Sequence, residues 1–133
     1  KSISIEKILS TDYIRLAPEH KVEDMIKILS EAGSSEGYII NPKGKLLGKV
    51  ELPNLVLNAN KTIPPDASSY SNFLTINSKN NVLEAIQLIK DFVGESVPII
   101  DEHKNILGIV TESDLFTELL KAEKVREDEE LAD

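Results

Sequence analysis

The chain of 133 residues contains no cysteine. That excludes disulfides, thiolate metal sites and thiol catalysis. It also fits a reducing setting, and a cytoplasmic location is expected. Basic residues are scarce as well. Fifteen Lys and Arg stand against 23 Asp and Glu, for a formal net charge of −8. Nucleic-acid binding needs a basic face to meet phosphates, and docking on anionic lipid needs the same, so this balance argues against both. No apolar run approaches the roughly 18–20 residues that span a bilayer. No signal-peptide pattern opens the chain, which begins at Lys1. A piece of a larger protein is expected. There is no glycine-rich phosphate loop, since Pro42-Lys43-Gly44-Lys45 reads as a turn. No Ser-His-Asp arrangement suggests itself. His20 and His103 lie alone in polar loops, so neither a metal site nor an enzyme is expected.

What the chain does have is a repeat of itself. A shift of 60 positions places Tyr13-Ile14-Arg15-Leu16 on Phe73-Leu74-Thr75-Ile76 without a gap. The same shift places Val22, Met25, Ile26 and Leu29 on Val82, Ala85, Ile86 and Ile89. It places Ile39-Ile40-Asn41 on Ile99-Ile100-Asp101, and Leu46-Leu47-Gly48 on Ile106-Leu107-Gly108. Apolar positions match far better than polar ones, so a core pattern is being repeated.

Each unit reads β-α-β-β-α. A short strand (13–16, 73–76) precedes a helix whose stripe runs Val22, Met25, Ile26, Leu29, Ala32, or Val82, Ala85, Ile86, Ile89, Val93. Ser78 or Asn80 is the predicted cap of the second such helix. Two strands follow, 38–41 with 46–50 and 97–101 with 106–110, joined by polar turns. A second helix closes each unit, at about 52–59 and 112–123. The divisions are a first repeat with its lead-in (1–60), a linker (61–71), a second repeat (72–123) and an acidic tail (124–133). The tail run Glu127-Asp128-Glu129-Glu130 reads as a solvated helix extension or a frayed end. Sixty residues bury too little to stand alone comfortably. The fold class expected is therefore α/β (α+β), with two units packed as a pseudo-twofold pair.

The repeat, the stretch Gly108-Ile109-Val110-Thr111-Glu112-Ser113-Asp114-Leu115 and the entry Val97-Pro98-Ile99-Ile100-Asp101 resemble a tandem pair of CBS (cystathionine β-synthase) domains, the Bateman module. The closing Gly48-Lys49-Val50-Glu51-Leu52-Pro53-Asn54-Leu55 more faintly resembles the cytosolic CBS pair of ClC-type chloride channels. The resemblance implies a regulatory module, often a homodimer, attached to a membrane transporter, a channel or an enzyme. No cofactor is required; the implied ligand is an adenine nucleotide (AMP, ADP or ATP) or adenosine, held between the repeats. The alternative is a ligand-free dimerisation module.

Thr111 and Asp114 are the chemical core of that expectation. A carboxylate accepts from two ribose hydroxyls, and a helix start adds free N–H groups. The same spacing makes a capping box, and the two roles are compatible. The resemblance implies a facing wall of Thr11, Ile14, Ser34, Ser35 and Tyr38, with Ile14 and Tyr38 flanking a base. The mirror-related cleft has Glu51 and Asn54 in the Thr111 and Asp114 positions, and is expected to be empty, structural or open to an uncharged ligand against Val97, Pro98 and Phe73. Where family members place basic residues for phosphate, this chain has Glu36, Glu95 and Ser96. Tight ATP binding is disfavoured; adenosine, AMP with an exposed phosphate, or no ligand stay open.

Overall fold

The computed structural model describes residues 3–59 and 70–132; positions 61–69 of the expected linker lie outside the described residues. The first unit comprises β1 (Arg15–Leu16), α1 (Val22–Ala32), β2 (Glu36–Ile40), β3 (Leu46–Glu51) and α2 (Leu52–Asn58). The second comprises β4 (Ile76–Asn77), α3 (Val82–Leu88), β5 (Val97–Ile100), β6 (Ile106–Val110) and α4 (Glu112–Ala132). Each sheet has three strands, in the orders β1-β2-β3 and β4-β5-β6. The repeat extends to the register. Leu16 pairs with Ile39 as Ile76 pairs with Ile99, and both hairpins shift register at the same place, Ile39/Ile40 and Ile99/Ile100.

Local chemistry fixes where the elements stop. Helix α1 ends at Gly33, whose φ of 66° is left-handed. The Ser34 N–H then donates to the Leu29 carbonyl at 3.0 Å. This αL stop suits glycine and turns Ser34 and Ser35 away from the helix. Helix α3 is capped neither by Ser78 nor by Asn80. Asn81 has the extended backbone of a cap, accepts from the Glu84 N–H, and its own N–H donates back to the Glu84 carboxylate. Ser78 is instead buried, with its N–H on the Ile100 carbonyl. Helix α3 is also shorter than its stripe suggests, and Val93 is 90% exposed. The final helix is longer than expected, and the acidic run lies within it. No helix among the described residues is long and apolar enough to cross a membrane.

Each unit is completed by a segment that precedes the other. Ile5 is fully buried in the core of the second unit, among Ile76, Val97, Ile99 and Leu115, with Ile3, Ile8 and Leu9 packed beside it. Tyr70 packs into the core of the first unit, against Leu16, Leu29 and Val50 among others. A third cluster joins the units, built on Tyr38, Ile40, Leu46 and Ile106. The hairpins also meet at their tips. Leu46 N–H donates to the Lys104 carbonyl and Ile106 N–H to the Gly44 carbonyl, at 3.0 and 3.2 Å. These pairs exchange under the 60-residue shift, as a pseudo-twofold axis requires.

The lead-in crosses β6 closely. Ser10 and Ile109 exchange two backbone hydrogen bonds of 2.8 Å. A Cβ at Gly108 would lie 2.6 Å from Leu9 Cδ1 and 2.7 Å from the Ser10 oxygen. Backbone cannot give way there as a flexible side chain could. Gly108→Ala is therefore expected to cost about 2 kcal/mol and to lower the melting temperature by several degrees in circular dichroism. A melting curve matching the parent would show that the lead-in does not lie on this strand.

Candidate functional site

Strand β2 is buried along its whole length, including the charged Glu36. A buried carboxylate must be paired and hydrogen-bonded. Pairing Tyr38 with Lys49 across the hairpin puts Lys49 diagonal to Glu36 on one face. The Lys49 ammonium reaches Glu36 Oε2 at 3.2 Å, with side chains 5% and 7% exposed. It also donates to the Ser96 carbonyl at 2.7 Å and lies 4.9 Å from the Phe92 ring centroid. The second unit supplies the remaining donors. Glu95 N–H reaches Glu36 Oε2, and Ser96 N–H reaches Oε1, each at 3.0 Å. Ser96 Oγ donates to Oε1 at 2.7 Å. Because Ser96 spends its proton on Glu36, the Tyr38 hydroxyl, 2.6 Å away, donates to Ser96.

The titration of both groups follows from this packing. Burial would raise the Glu36 carboxyl, but the Glu95 N–H, Ser96 and Lys49 together hold it below the usual value of 4.5. Burial holds the Tyr38 hydroxyl well above the usual phenol range.

This network forms the floor of a cleft of about 460 Å³ between the two units. Ile14, Ser34, Ser35, Tyr38 and Thr111 all line it. Thr11 and Asp114 are not in its lining; both are exposed. Asp114 is occupied in capping α4: its Oδ2 accepts from the Thr111 N–H at 3.0 Å, and its own N–H donates to Thr111 Oγ1 at 3.1 Å. Ser34 is partly engaged, with its Oγ donating to the Glu36 carbonyl at 2.8 Å. Tyr38 is only 1% exposed, so its ring serves the core first. The aromatic face that is more open is Tyr13, packed edge-on to Tyr38 at 5.8 Å and 89°. Arg15 holds it from outside, donating to the Tyr13 hydroxyl at 3.0 Å. Asp12, Tyr13 and Ile109 also line the cleft and are not expected from the sequence. The 60-residue shift carries the signal for Tyr13, since its counterpart Phe73 was expected in the mirror cleft.

That mirror cleft is present, at about 440 Å³, lined by Lys49, Glu51, Asn54, Tyr70 and Phe73 among others. Val97 and Pro98 do not line it: both are buried within the sheet.

Comparison with known proteins identifies the fold. Residues 66–121 match the family model of the CBS domain. The chain folds as a CBS domain pair. Its first unit lies outside that match and is joined to the second by the repeat and the shared topology. Among relatives, an uncharacterised Methanopyrus kandleri protein is 25% identical over 123 residues, 87% of this chain and 62% of its own length. The magnesium transporter MgtE of Enterococcus faecalis is 23% identical over 82% of this chain and 25% of its own length. This CBS pair thus spans less than two thirds of either. The transport relatives named are magnesium transporters and give the chloride-channel resemblance no support.

Solved CBS pairs superimpose well. CBSX2 in complex with AMP matches with a TM-score of 0.74 at 16% identity, covering 91% of this chain and 98% of CBSX2. The MJ0100 pair, in complex with 5′-methylthioadenosine and S-adenosyl-L-methionine, matches at 0.69 and 19%, covering 92% and 99%. The cytosolic domain of MgtE in complex with ATP matches at 0.72 and 20%, covering 86% and 48%.

Lys49→Met would leave a buried carboxylate without its cation, at a cost of about 3 to 5 kcal/mol by chemical denaturation; a loss below ~1 kcal/mol would show that the pair is solvated. Glu36 also predicts the acid limb. Its folded-state pKa is depressed, so its contribution is present above about pH 4.5 and is lost as the pH falls through the lower folded value. Glu36→Gln should flatten that part of the stability profile, measured by thermal melting from neutral pH downward. An unchanged acid limb would count against the assignment.

Proposed function

We propose that the chain is a regulatory sensing module that holds an adenosine-type ligand in the cleft above the Glu36 network and controls an attached transporter, channel or enzyme. The observation that carries this reading is the cleft itself. It draws Ile14, Tyr13, Ser34 and Ser35 from one unit, and Ser96, Ile109 and Thr111 from the other. Its volume falls within the range of small-molecule sites. Apolar and aromatic faces suit a purine, and the hydroxyls suit its edge or a ribose. The complexes of CBSX2, MJ0100 and MgtE support the ligand class. MgtE as a relative supports an ion transporter as one class of parent, with the module on the cytosolic side.

The mechanism follows from the two-sided wall. A ligand that touches both units favours one relation between them, and that preference is transmitted to whatever is joined to the chain. The role is binding, without catalysis.

Calorimetric titration with adenosine, AMP, ADP and ATP tests the reading. Heat from at least one is expected, and Thr111→Ala should weaken that binding about tenfold, the loss of one good hydrogen bond. No heat and no thermal shift from any of the four would overturn it.

A second reading is favoured by exposed apolar side chains on α2 (Val56, Leu57) and α4 (Phe116, Leu120). Such surface suits a homodimer. A ligand-free dimerisation module would be a stable dimer in light scattering, unchanged by nucleotides and by Asp114→Ala. A strictly monomeric chain would dismiss it.

A further inference from the structure

The donors around Glu36 make a complete anion receptor. Two successive backbone N–H groups, from Glu95 and Ser96, point at one carboxylate. A hydroxyl from Ser96 and an ammonium from Lys49 complete the set, with two donors on each oxygen. Consecutive N–H groups with a cation and a hydroxyl are the groups that hold phosphate or carboxylate in binding sites. Here the anion is supplied by the chain itself. The receptor spans both units, since Lys49 belongs to β3 and the other donors precede β5. It also abuts the proposed ligand site, because Glu36, Glu95 and Ser96 line that cleft.

We infer that Glu36 is a built-in anion that fills a phosphate-type receptor at the edge of the proposed ligand cleft, so that this cleft takes a purine nucleoside with a neutral or cationic 5′ substituent and turns a phosphate away. The rim carries the same sign. Asp12 and Glu95 line the cleft with exposed carboxylates, and among the described residues no Lys or Arg lines it. A phosphate entering there meets acids, and the four donors of the receptor are already bonded to Glu36. The ligand half of this inference rests on the adenosine reading. The receptor half stands on the geometry alone.

The test removes the internal anion. Glu36→Ala empties the receptor without touching its donors. In chloride buffer the variant should melt well below the parent, and added acetate or phosphate should raise its melting temperature by several degrees more than the parent's. If the variant is unfolded in chloride, the same titration follows refolding by circular dichroism. The double variant Glu36→Ala/Lys49→Met should show no such rescue.

Calorimetry then tests the ligand half with 5′-amino-5′-deoxyadenosine, adenosine and AMP. The parent should bind the first two and AMP at least tenfold more weakly. Glu36→Ala should bind AMP at least tenfold more tightly than the parent does. Absence of anion rescue overturns the receptor. A parent that binds AMP as tightly as adenosine overturns the exclusion of phosphate. A parent silent to all three, with rescue intact, overturns the adenosine reading and leaves the receptor standing.

Discussion

One buried ion pair organises this molecule. Glu36 and Lys49 sit on adjacent strands of the first unit, yet three of the four donors to Glu36 come from the second. Desolvating a carboxylate is expensive, and it is tolerated only where partners are complete. The carboxylate therefore demands that the segment before β5 lie against β2 in one position. That demand fixes the relation of the two sheets, and with it the walls of the cleft above Glu36. The apolar interface of Tyr38, Ile40, Leu46 and Ile106 supplies contact area. The charge network supplies uniqueness, because a shifted interface would leave a buried charge bare.

The two units are also interleaved in the chain. The segment before each one fills the core of the other, through Ile5 on one side and Tyr70 on the other. Gly48 and Gly108, at equivalent positions of the repeat, are where these segments cross a strand. Neither unit has its full core without the other's leading segment. The proposed ligand between the units would thus act on a pair held by both a charge network and a crossed chain. The response expected of such a module is a small change in relation, not separation.

Much of the architecture was legible because a repeat reveals what packing must preserve. The apolar stripe Val22, Met25, Leu29 and its copy Val82, Ala85, Ile89 predicted the inner helices, and the hairpins followed from paired runs around polar turns. Ile14, Ser34, Ser35, Tyr38 and Thr111 fall on one cleft as family resemblance implied. Other features depend on tertiary contact. Glu36 reads from sequence as an acid hostile to phosphate; only the register that sets it diagonal to Lys49 shows its charge to be compensated. Val93 continues an apolar period but falls beyond the last turn of α3. The length of α4 escaped periodicity because its outer half is exposed all round. Asp114 shows a different limit: its spacing fitted a cap and a ribose contact equally, and the structure displays the cap.

The central claim is that a nucleoside sits between the units on the cleft whose floor is the Glu36 network. A crystal structure of the chain grown with adenosine tests it most directly. The base is expected against Tyr13 and Ile14, with polar contacts from Ser34, Ser35 or Thr111 and an unbroken Glu36–Lys49 pair beneath. Adenosine seated only in the Lys49–Asn54 cleft, or a displaced Glu36, would contradict it.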